Sequence, residues 1–205
     1  MKKLEKPGAR YSTYKRYGPG ESAPPDSFKP GDFILSHEKS WVHGLIRFGQ
    51  SLRYRGKNRK HNRWSHAALI VTTNGGLIEA VGKGVRRSHL DKYRDIEYHL
   101  VNIDAYAGER DREQIVKFAE SCLRHSYGYL TLASISINLL LGSRINFTFE
   151  RQIICSALVA RALERSDIIF EKSPHHLLPA DLAHFFRVAP PDKSVPKREQ
   201  QKAKF

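Results

Sequence analysis

The 205-residue chain is short of acidic groups, of sulfur and of long apolar runs. It holds two cysteines, Cys122 and Cys155. Two thiols build no disulfide framework, so the fold is expected to stand without bridges and suits a reducing compartment. Met1 to Arg10 is charged and carries no apolar h-region, so no secretory signal is visible. The longest apolar run, Tyr129 to Leu141, falls short of the ~20 residues that span a bilayer. A soluble, cytoplasmic protein is the expectation, with peripheral attachment to a membrane surface left open. No internal repeat is evident. His175-His176 has no partner at metal-ligand spacing, so no metal and no cofactor are expected.

The acid deficit is uneven. Lysines and arginines number 35 against 21 aspartates and glutamates, a net charge of +14. Segments 1–30, 47–64 and 191–205 account for all of it, and the rest of the chain is neutral. The expected organisation is a basic irregular arm (1–29), one globular domain (30–189) and a basic tail (190–205). Basic segments attract anionic lipid head groups, acidic wall polymers or nucleic acid; their plainer use is solubility. Segment 47–64 sets Phe48, Tyr54 and Trp64 among arginines, in the manner of a surface for single strands. No named nucleic-acid motif accompanies it, which makes nucleic acid the weaker partner.

Between the basic segments the pattern is α+β, a small antiparallel sheet with helices on it. Phe33-Ile34-Leu35 reads as a strand opened by a turn at Gly31-Asp32, and Ser40 to Leu52 as a capped helix. Arg53 to Arg63 reads as a basic loop. His66 to Val71 and Leu77 to Ala80 read as a hairpin turning at Asn74-Gly75. Gly84 to Arg86 and Tyr98 to Ile103 are further strands. Asp111 to Arg124, Tyr129 to Leu141 and Ile153 to Arg165 have helical spacing, with Cys122 on the apolar stripe of the first. Pro179-Ala180-Asp181 opens a short final turn, and Phe186 to Val188 is an edge strand.

Cys155 lies in the first turn of its helix. There the unpaired backbone N–H groups and the positive dipole end favour a thiolate and can hold an oxyanion. It also precedes an apolar stripe, Leu158, Val159, Ala162 and Leu163, and so can equally be a small core residue. A cysteine nucleophile needs a base, and the base an orienting partner. Among ten histidines, His66 stands out at the head of an apolar strand directly after Trp64-Ser65. Glu79 is the lone charge inside Leu77-Ile78-Glu79-Ala80, and a carboxylate there calls for a partner or a function. A two-residue turn at Asn74-Gly75 would set Glu79 opposite Ile70, about 13 Å along the ladder from His66. Contact then requires coiled strands, a bulge or a wider turn. Glu97 and His99 are the alternative orienters.

The order of these motifs resembles the circularly permuted papain-fold cysteine hydrolases. Gly31-Asp32 and its strand come first, then Ser65-His66, Ile78-Glu79-Ala80 with Gly84-Val85-Arg86, Tyr127-Gly128-Tyr129, and Cys155-Ser156-x-Leu158-Val159. The likeness is greatest to the bacterial YiiX/YaeF-like group, relatives of the NlpC-type cell-wall peptidases and of the lecithin retinol acyltransferase family. It covers about residues 29–188, and order and spacing carry it more than any single motif. The resemblance implies a permuted papain-like fold with the histidine strand before the cysteine helix. It implies Cys155 as nucleophile, His66 as base and acid, and Glu79 as the orienting group. The implied reaction is acyl transfer through a thioester on an amide or ester, the amide side favoured. Trp64, Ser65, Arg86, Tyr93, Tyr127 and Tyr129 are candidates for the substrate cleft. The alternative from another class is a polyanion-binding module in which Cys155 is merely buried.

Overall fold

The computed structural model describes residues 13–37, 47, 50–51, 54, 56–127 and 152–191. Six strands form one antiparallel sheet in the order β1-β6-β2-β3-β4-β5. They are β1 (Tyr14–Tyr17), β2 (Phe33–Ser36), β3 (His66–Ile70), β4 (Gly76–Val81), β5 (Gly84–His89) and β6 (Tyr98–Val101). A short parallel pair, β7 (Ser126–Tyr127) and β8 (Gln152–Ile153), stands apart. The helices are α1 (Glu109–Ser121), α2 (Cys155–Leu163) and α3 (Pro179–Phe185).

The period-2 alternation of the central strands feeds two separate cores, because successive side chains leave opposite faces. Phe33, Leu35, Ala67, Leu69, Ile78, Ala80 and Val101 join one core with the apolar residues of α2 and α3. Ile34, Ala68, Ile70, Leu77, Tyr98 and Leu100 join the other. That second face is covered by Ala23, Phe28, Leu90 and Tyr93. Helix α2 lies under β3 and β4 and against α1 and α3. All its residues except Arg161 are buried, as its run of Ala, Leu and Val requires. Cys122, at the end of α1, is core as expected.

The structure corrects several sequence expectations. Within the expected irregular arm, Tyr14–Tyr17 is a strand and Pro25–Ser27 a 3-10 turn. Tyr14–Tyr17 pairs with β6 as an edge strand whose Lys15 and Arg16 are exposed, charged positions typical of an edge. Residues 56–63 form a 3-10 helix where a loop was expected. Ile153 belongs to β8, and α2 begins at Cys155. Pro179–Phe185 is a full helix, with Asp181 accepting the Leu178 N–H at 2.8 Å. Phe186 to Val188 is no strand: Phe186 caps α3 and Arg187 turns left-handed at φ 55°. The β3–β4 hairpin turns through four residues, Thr72 to Gly75. Thr72 Oγ1 accepts the Gly76 N–H at 2.7 Å and closes this wider loop. The helix expected over 40–52 is helical at Arg47, Gln50 and Ser51, and otherwise lies outside the described residues. The helix at 129–141 and most of the basic tail also lie outside them. No helix among the described residues is long and apolar enough to cross a membrane.

Candidate active site

The wider hairpin loop decides the position of Glu79. The pairs are Leu69–Ile78 and Ile70–Leu77, two residues away from the register of a tight turn. Glu79 therefore falls across from Ala68, one diagonal step from His66, within reach of long side chains. The two meet: His66 Nε2 lies 2.9 Å from Glu79 Oε2, and both side chains are buried.

Glu79 has further partners. The Tyr93 hydroxyl donates to Oε2 at 2.6 Å, and Lys92 Nζ donates to Oε1 at 2.8 Å and Oε2 at 3.0 Å. Arg86 Nε is 3.9 Å from Oε1. Burial alone would push the carboxyl up. The hydrogen bond and charge of His66, with the hydrogen bonds from Lys92 and Tyr93, outweigh it and hold Glu79 far below the usual carboxylate range. The Tyr93 ring also stacks on the His66 ring, 6.3 Å between centroids and 12° between planes.

Cys155 is the first residue of α2 and fully buried. Ile154, before it, supplies no side-chain cap to the N–H groups of the first turn. Backbone contacts tie this helix start to one end of the sheet. Ile153 pairs with Tyr127 in the β7–β8 ladder. Just before β7, His125 O accepts from Val85 N at 2.8 Å and Arg124 N donates to Val85 O at 3.1 Å. Val85 in turn sits opposite Ala80. That end of β4 is also where β3 starts, with His66. The alternation of β3 puts Ala67 in the core that contains Cys155 and sets His66 against Tyr93 of the other core.

The other candidates divide. Arg86 is half exposed beside Glu79. Trp64 is fully buried with its ring edge-on to His99, at 4.6 Å, so it is core and not cleft lining. Ser65 is buried, its N–H bonded to Ser36 O at 3.1 Å. Tyr127 contributes backbone to β7, and Tyr129 lies outside the described residues. The alternative orienters pair with each other, His99 Nε2 to Glu97 Oε1 at 3.0 Å, with Arg16 Nε 3.1 Å from the same oxygen. Asp32 is structural: Arg112 Nη1 lies 3.0 Å from its Oδ1, and the Ile103 N–H donates to it at 3.0 Å. Among the described residues no group of three or more His, Cys, Asp or Glu is placed to hold a metal ion.

Lys92 and Tyr93 were not legible as partners of Glu79. Tyr93 stood out in the sequence as a cleft aromatic only, and Lys92 had no signal beyond its place on the turn that follows the strand paired with β4. Comparison of the chain with known protein families and with curated proteins gave no match.

Proposed function

We propose that the chain is a cysteine-dependent hydrolase or acyltransferase of permuted papain-like fold, acting on amide or ester bonds, with amides favoured. The observation that carries this reading is the buried His66–Glu79 pair at the end of the sheet to which the start of α2 is tied. With Glu79 on Nε2, the proposed reaction assigns proton exchange with the nucleophile to Nδ1, and it requires His66, which sits against Tyr93, to reach the Cys155 side of the sheet. Cys155 Sγ, as thiolate, adds to the substrate carbonyl, and the Cys155 N–H stabilises the oxyanion. The tetrahedral adduct collapses as His66 gives its proton to the leaving amine or alkoxide, leaving a thioester. Water, deprotonated by His66, then releases the acid and restores the thiol; another acceptor in its place gives acyl transfer. Acidic surfaces such as lipid head groups or wall polymers suit the basic segments 47–64 and 191–205.

A second reading, a polyanion-binding module with a structural Cys155, is favoured by the complete burial of that residue and by its place in the core opposite Tyr93. Alkylation kinetics separate the two. Cys122 reacts slowly in either case, since burial pushes its thiol up despite the nearby Arg161. The catalytic reading expects iodoacetamide to modify Cys155 at least tenfold faster than Cys122 near neutral pH. That advantage should vanish in His66→Ala, and amide or thioester probes should acylate wild type but not Cys155→Ser. Equal, slow labelling of both thiols, with no acylation, selects the binding module.

A further inference from the structure

We infer that Lys92 and Tyr93 are positioning residues that fix the Glu79 carboxylate and set how much of its charge reaches His66. The inference rests on the reading of His66 as the general base. Oε2, the oxygen that His66 uses, also receives Tyr93 at 2.6 Å and Lys92 at 3.0 Å, while Lys92 bridges to Oε1 at 2.8 Å. A carboxylate bound on both oxygens from two directions keeps one rotamer. Tyr93 acts twice, since its hydroxyl holds the carboxylate while its ring flanks the imidazole. The imidazole plane and its acceptor are thus fixed by one side chain.

The electrostatic consequence is less obvious. An unaccompanied buried carboxylate favours imidazolium strongly. Here a lysine ammonium lies against the same carboxylate and offsets that pull. The charged or titratable groups against the pair include Arg86 from β5 and Lys92 and Tyr93 from the turn Leu90–Tyr93. Ser36 of β2 stands opposite His66 in the register. Asp91 of the same turn is engaged instead by His89, at 3.0 Å. Arg86 is 3.9 Å away and half in water, so Lys92 dominates. Its role is to keep the base neutral and able to accept a proton, at an ionised Glu79.

Nitrogen-15 spectroscopy of the histidine rings of the full chain tests this, with the His66 signals assigned by their loss in His66→Gln. Wild type is expected to show the Nε2–H tautomer of neutral His66. Lys92→Met is expected to raise the His66 titration midpoint by about one pH unit, because Glu79 then lends it full charge. Tyr93→Phe keeps the stacked ring and loses the hydroxyl, and should raise it less. Lys92→Arg should restore the wild-type midpoint. Lys92→Gln repeats the charge removal should the methionine variant fold poorly. An unmoved midpoint in both charge-removing variants overturns the inference and reduces Lys92 to a counter-ion at the surface. The readout does not involve Cys155. A protein that never acylates would remove the proposed reaction and leave this result standing; an acylating enzyme with an unmoved midpoint would remove only the clamp.

Discussion

At the scale of single residues, Glu79 is the most consequential side chain. Its folded-state carboxyl is held below the unfolded value of about 4.5. The stability it contributes is therefore complete above that value and lost as the pH falls below it. Wild type is expected to exceed Glu79→Gln by on the order of 3 kcal/mol in urea unfolding at pH 7, as for other broken buried pairs. The gap should narrow steadily below pH 4.5. A gap that is constant with pH would show that shape, not charge, is what the glutamine loses. Glu79 was legible because a lone carboxylate in an apolar strand has to be answered by something. Its register was not, because a single threonine hydroxyl turned a two-residue bend into a four-residue loop.

At the scale of elements, the strands and helices with strong periodicity were legible: β2, β3, β4, β6, α1 and α2 lie where alternation or helical spacing put them. Their ends were less so. Ile153 continues the apolar run of α2 and yet pairs as β8, a choice set by Tyr127 on a distant segment. The edge strand β1 escaped notice because four residues with two charges show no alternation against a core. Gly84 joins two elements: its φ is 105°, and a Cβ there would come within 2.6 Å of His125 O. Gly84→Ala must therefore displace the β5–β7 junction on which the start of α2 depends. The expected loss is on the order of 2 kcal/mol, read from the denaturant midpoint. If the proposed reaction holds, acylation of Cys155 should fall further than stability does.

At the scale of the whole molecule, the sheet is a wall with a core on each side. The core behind Tyr93 is roofed partly by the N-terminal segment: Ala23 and Phe28 pack there, and the Ala23 N–H donates to Tyr98 Oη at 2.8 Å. Burial pushes that phenol up to about 12, so it stays an uncharged partner throughout the working range. Removal of residues 1–29 should then lower the melting temperature by roughly 5 °C or more, given ~2–4 °C per kcal/mol for chains of 150–250 residues. A basic arm without structural duty would come off at no thermal cost. The relative order of histidine strand and cysteine helix was legible along the chain. The packing of that helix under β3 and β4 was not, since it joins segments far apart in the chain.

The hairpin that carries His66 and Glu79 has its ladder pairs near the loop, at Leu69–Ile78 and Ile70–Leu77. It is built like a pair of tongs, rigid at the hinge and held at the tips by other things: β2 on one arm, β5 on the other. Between the tips lies the imidazole–carboxylate bond, 2.9 Å long, so protonating or cutting that link should loosen the arms where they open.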